Sequence, residues 1–137
     1  MQVHEDVIQL GGEDDGGAGE LLTQRIVAGS KTVLTTPAEL LDVDERADID
    51  AGVGRVLTLI DPEGDPVANL RITDVFETTW GAPDPRLVAG EGFADDIQHF
   101  REVVGELLAA ELEADSYELT GDTVLVVEAF EVVELAD

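Results

Sequence analysis

At 137 residues and 44% hydrophobic, the chain has the length of one ordinary domain and enough aliphatic side chains to bury one core. Its 32 acidic residues against seven basic ones give a formal net charge of −25. That balance excludes a broad basic face for duplex DNA, because neutralising phosphates takes several Lys or Arg on one surface. Without cysteine, disulfides and thiolate metal sites are excluded too, and two histidines make no usual zinc site without carboxylate help.

The acid is interleaved with periodic Val and Leu, which sets the chain apart from acidic disordered sequences that lack apolar residues to offset chain entropy. A folded domain with this charge repels itself in dilute buffer, whereas at molar salt the Debye length falls to about 3 Å and screens the repulsion. The composition resembles that of proteins from extreme halophiles, with six arginines kept over one lysine. One domain over 1–137 and a cytoplasmic location are expected, since no basic-plus-apolar leader and no apolar run near the ~18 residues of a membrane span is found.

In chain order, Val7-Ile8-Gln9-Leu10 reads as a short strand and Gly11–Gly17 as a flexible acidic loop without EF-hand ligand spacing. Leu21, Leu22, Ile26 and Val27 recur at helical spacing over Ala18–Ala28, with Gly29 as the stop. Lys31–Thr35 alternates as a strand ended by Pro37, ahead of a helical turn through Ala38–Leu41, and Asp42–Asp50 reads as a solvated connection. Arg55–Ile60 and Val67–Phe76 form a hairpin turned by Asp61-Pro62-Glu63-Gly64-Asp65-Pro66. Thr79-Trp80-Gly81-Ala82-Pro83 breaks the sheet, and Pro85–Gly90 predicts a short helix. Asp95 or Asp96 caps a longer helix with an apolar stripe of Ile97, Phe100, Val103, Val104, Leu107, Leu108 and Leu112. Thr123–Val127 and Ala129–Val133 close the chain as one long strand, central to the sheet. The class is α+β, with strands long enough for a small barrel.

The one lysine stands in Gly29-Ser30-Lys31-Thr32-Val33-Leu34-Thr35-Thr36, between a helix-ending glycine and a hydroxyl-rich strand. Either its ammonium serves a site or it is a residual surface lysine.

Ala28-Gly29-Ser30-Lys31-Thr32, Gly64-Asp65-Pro66-Val67, Val88-Ala89-Gly90-Glu91-Gly92 before a helix carrying Phe100-Arg101, and Phe130-Glu131-Val132-Val133 follow one another in an order that resembles the ASCH domain family. This family is a branch of the PUA-like superfamily associated with RNA and nucleoside recognition, and the chain resembles an acidic, haloarchaeal-type member. The resemblance implies a PUA-like small mixed β-barrel with flanking helices and a cleft where Lys31 and Glu91 meet. Some bacterial relatives are amidohydrolases that remove an acyl group from the exocyclic amine of cytidine with a lysine, a threonine three residues later and a glutamate. Lys31 and Glu91 match that pattern; the third residue after Lys31 is Leu34, with Thr35 one further and Thr32 beside the lysine. In a regular strand, neighbours face opposite ways, so Thr35 is no automatic substitute.

For amide hydrolysis the catalytic candidates are Lys31, as base or oxyanion-stabilising cation, Glu91, as proton relay, and Thr32 or Thr35, as hydroxyl. The same groups recognise a base without chemistry, and a Lys31–Glu91 salt bridge closing the barrel is the structural alternative. Gly29, Ser30, Lys31 and Glu91 are ligand-binding candidates. Trp80 stacks on a flipped base or plugs the barrel, and Arg71 meets a phosphate or lies on a solvated face. Glu128 is partly buried near the cleft or sits at a bulge, His99 is exposed, and His4 lies in a terminal tail. No cofactor or metal is expected. The function read from these residues is binding of RNA or a nucleotide, with acylated-cytidine hydrolysis and a regulatory protein-interaction module as alternatives.

Overall fold

The computed structural model describes residues 1–10 and 17–136, so most of the expected acidic loop at 11–17 lies outside the described residues. Five strands, β1 (Val7–Gln9), β2 (Val33–Pro37), β3 (Val56–Ile60), β4 (Pro66–Thr79) and β5 (Val124–Leu135), form one sheet in the order β1-β3-β4-β5-β2. β1 runs parallel to β3, and the other neighbours are antiparallel. Register shifts along β4, between Asn69 and Leu70 and between Ile72 and Asp74, bend the two longest strands, and the sheet curls into a half-barrel.

The helices are α1 (Ala18–Ala28), α2 (Val43–Asp50), α3 (Pro85–Gly90) and α4 (Ile97–Ala114), with a 3₁₀ turn over Ala38–Leu40. α4 ends where its predicted stripe does, and Phe100, Val104, Leu108 and Leu112 are its buried face. Strand alternation divides the core. Val33, Leu125 and Val127 face α3 and α4 with Leu87, Val88 and Phe100, whereas Leu34 and Phe130 pack with Ile26, Leu59, Leu70 and Ile72.

Three expectations are corrected. Asp42–Asp50 is not a loop but a helix, fixed by a capping box in which Asp42 and Glu45 exchange side-chain and backbone bonds, and by Arg46 reaching Asp50 and Glu77. It buries no residue, so it carries no apolar stripe for sequence reading to find. The middle strand is β4, with β5 between it and the edge strand β2. The tail at His4 is tied down, its backbone N–H donating to Thr58 Oγ1 at 2.8 Å.

Candidate functional site

Gly29 ends α1 in the left-handed region, at φ 85°, where a glycine meets no Cβ penalty. The backbone N–H groups of Ser30 and Lys31 both bond back to Arg25 O, at 3.0 and 3.2 Å. This wraps the chain around the end of the helix, so Lys31 precedes the regular strand, which starts at Val33.

Glu91 reaches the same place from α3. Asp84 caps that helix, with Pro85 at its first position, and Thr32 N–H donates to Gly90 O at 2.7 Å. Glycines flank the glutamate for steric reasons: a Cβ on Gly90 would stand 2.5 Å from Val33 Cγ1, and one on Gly92 2.8 Å from Ser30 O. Only residues without a side chain let this turn press against 30–33.

Lys31 Nζ donates to both oxygens of Glu91, each at 2.8 Å, and Thr35 Oγ1 donates to Glu91 Oε1 at 2.9 Å. Lys31 is 5% and Glu91 6% exposed, so the pair is withdrawn from water. Together the three side chains line a cavity of about 220 Å³ whose other walls include Ile8, Leu22, Leu34, Val104, Leu107 and Leu108. Because β2 is an edge strand, Leu34, Thr35 and Thr36 all border this space.

Two further carboxylates, Glu111 and Glu128, line the cavity. Burial pushes the Glu128 carboxyl above the usual carboxylate range, with Arg55 opposing; Glu111 is raised by loss of solvent, with Lys31 opposing. Both tendencies follow from charge removed from water without a paired cation. Glu111 lies outside the family motifs and its helix's apolar stripe, so sequence reading passed over it; its place one turn beyond Leu107 was the available signal.

The structure brings Lys31, Thr35 and Glu91 together and separates the other candidates from them. Thr32 is exposed, its backbone tied to Gly90 and Phe130. Gly29 acts as the helix stop, and Ser30 Oγ donates to Arg25 O at 3.2 Å. Trp80 does not line the cavity; it packs on Phe100 with ring centroids 5.5 Å apart and against Gly105, while Arg101 donates to its carbonyl. Arg71 lies exposed on β4 and pairs with Glu131 at 3.3 Å. His99 is exposed and meets Phe93 edge-on. Among the described residues no group of three His, Asp or Glu is arranged to hold a metal ion, and no helix is long and apolar enough to cross a membrane.

A curled, half-barrel mixed sheet clasped by helices defines an α+β protein, with a buried lysine–glutamate pair between sheet and helices. The family model of the ASCH domain matches residues 6–134, and the chain belongs to that family. It is similar to the crystal structure of an ASCH domain from Lactobacillus crispatus, with TM-score 0.76 and 18% identity over 94% of this chain and 79% of that one. It is likewise similar to a protein from Enterococcus faecalis, with TM-score 0.78 and 22% identity over 98% of this chain and 80% of that one. At these identities the likeness concerns the fold. No protein of curated function matches.

Proposed function

We propose that this chain binds a nucleobase, carried by a nucleoside, a nucleotide or an unpaired RNA base, in the cavity bordered by Lys31, Thr35 and Glu91. The observation that carries this reading is the buried Lys31–Glu91 pair on the wall of a largely aliphatic cavity. Removing charges from water costs several kcal/mol per ion, which makes the pair weak support for stability alone and favours a binding role for it here. An ammonium has three protons and Glu91 accepts two hydrogen bonds from it, which leaves donor capacity for a carbonyl of a base. The carboxylates of Glu91 and Glu128 offer acceptors for an exocyclic amine. At about 220 Å³ the space is below the ~300–1,000 Å³ of drug-sized pockets and suits one base rather than a length of strand. The test is calorimetric titration of cytidine, uridine and adenosine in molar potassium chloride; a Lys31-dependent affinity for one of them supports base binding, and none at any salt favours the protein-interaction module.

A second reading, deacylation of an acylated cytosine amine, is favoured by the Thr35–Glu91 hydrogen bond. Thr35 Oγ attacks the acyl carbon as its proton passes to Glu91, Lys31 stabilises the oxyanion, and the departing amine takes up the proton. That amine leaves as free cytidine, and water then cleaves the acyl-Thr35 ester by the same relay, yielding the carboxylic acid and restoring the Thr35 hydroxyl. Chromatographic detection of cytidine released from N-acetylcytidine separates the readings: release that Thr35→Val abolishes supports hydrolysis, whereas saturable binding without release makes the chain a binder.

A further inference from the structure

We propose that Arg25, with Ser30 and His99, forms a subsite for the phosphate monoester of the ligand whose base enters the Lys31 cavity, an inference that rests on the base-binding reading. A second cavity, of about 270 Å³, shares Glu91 with the first and is otherwise walled by Arg25, Ser30, Phe93, Asp96 and His99, together with Gly92. A groove between α1 and α4 joins the two from the other side: it shares Leu22 and Leu107 with the first cavity and Arg25 with the second. Arg25 therefore borders both spaces that share walls with the base cavity.

Its guanidinium is the unusual group of the molecule. Lys31 pairs with Glu91, Arg46 with Asp50 and Glu77, Arg55 with Asp6, Arg71 with Glu131, and Arg86 with Asp74 and Asp84. Arg101 donates to the carbonyls of Trp80 and Gly81. Among the described residues, Arg25 alone of the seven basic side chains has no acceptor for its charged group, in a chain with 32 carboxylates.

The two carboxylates of its cavity are engaged elsewhere, Glu91 by Lys31 and Asp96 by the backbone N–H of His99, while Glu106 borders the groove beyond without an ion pair to it. A half-buried guanidinium with five unused donors is suited to a phosphate, whose oxygens it can grip in pairs. The imidazole of His99 borders the same space, and the exposed Ser30 hydroxyl donates to a ligand there by turning from its 3.2 Å bond to Arg25 O. The first cavity sets three carboxylates against one ammonium, and the second sets Asp96 and the lysine-held Glu91 against one guanidinium, so a phosphate is repelled less on the Arg25 side. The competing account is that Arg25, in the last turn of α1, only serves the helix dipole. That role moves melting temperature and leaves ligand preference untouched.

The experiment titrates wild type and Arg25→Gln with cytidine and cytidine 5′-monophosphate, then with short oligoribonucleotides bearing a 5′-phosphate or a 5′-hydroxyl. Wild type is expected to prefer the phosphorylated member of a pair by about tenfold or more, and Arg25→Gln to lose that preference. The pair that shows it tells a free nucleotide from an RNA end. Equal affinities in wild type, or a preference that survives Arg25→Gln, overturn the subsite. Failure of the base-binding reading looks different, because then no nucleoside or nucleotide binds at all. Inorganic phosphate decides the subsite in that case: saturable, Arg25-dependent displacement of the His99 ring resonances supports it, and unmoved resonances overturn it.

Discussion

Thr35 Oγ1 lies 2.9 Å from Glu91 Oε1, and Thr35, four residues after Lys31, falls on the lysine's side of an alternating chain, whereas Leu34 between them does not. Lys31 itself stands just before the regular strand. Its backbone still belongs to the wrap around the end of α1, bonded to Arg25 O, and alternation begins at Val33, so Val33 and Thr35 share the face toward α3 and α4. Leu34, three residues after Lys31, turns into the other half of the core.

The two threonines therefore separate in function. Thr35→Val removes the attacking hydroxyl and is expected to abolish any deacylation, with little loss of stability. Thr32→Val, at an exposed site, is expected to leave the rate unchanged. Initial rates of cytidine release from N-acetylcytidine check both; equal losses from the two variants would contradict the assignment.

Removal of Lys31 reports on stability as well as on the ligand. Lys31→Ala strands the Glu91 carboxylate, 6% exposed, without its ammonium, and breaking a buried pair in this way costs about 3–5 kcal/mol. Replacing both partners, as in Lys31→Met with Glu91→Gln, is expected to recover most of that loss while leaving base binding absent. Chemical denaturation alongside nucleoside titration distinguishes the effects, and a double variant as unstable as the single one would argue against pairing as the cause.

The glycines around Glu91 are predicted to matter through geometry. A methyl group on Gly90 meets Val33 Cγ1 at 2.5 Å, so Gly90→Ala must push α3 away from β2 and draw Glu91 off Lys31. Overpacking of this kind costs about 1–3 kcal/mol. The expected outcome is a folded protein, by circular dichroism, with weakened base binding; retained affinity would show that the close approach is dispensable.

Glu128 supplies a pH dependence. Its folded-state pKa is raised, chiefly by burial, so the native state holds this proton more tightly than the unfolded chain does. Stability linked to Glu128 is greatest below the unfolded value of about 4.3 and declines as pH rises through the folded value. Glu128→Gln is therefore expected to melt above wild type at neutral pH, with the gap closing as pH falls toward 4. Thermal melts across that range test the sign.

Salt is the remaining lever. With a net charge of −25 the native state repels itself, and a Debye length that shrinks from about 10 Å at 0.1 M to about 3 Å at 1 M removes most of that repulsion. Melting temperature is expected to rise steadily with potassium chloride. A flat profile would mean that the acidic surface is no burden in dilute buffer.

Most elements could be read along the chain because their cause is local: α1 from its apolar spacing and Gly29, the β3–β4 hairpin from its Pro- and Gly-containing turn, α4 from its stripe and Asp96. α2 escaped because its stabilisation is a capping box and surface ion pairs, which leave no hydrophobic period. Trp80 was legible as important but not as a neighbour of Gly105, since that contact joins the end of β4 to α4.

The sequence by itself determined the class of fold, the family, and the two charged residues of the site, because helix stops, alternation and the Gly-Glu-Gly turn are written in adjacent positions. Only the tertiary structure decided which threonine joins them, that Glu111 and Glu128 border the same space, and that Arg25 has no counter-ion among the described residues. Those facts depend on where α1, α3, α4 and β5 converge. A distance between side chains 56 or 60 residues apart is set by packing of whole elements, which no local pattern encodes.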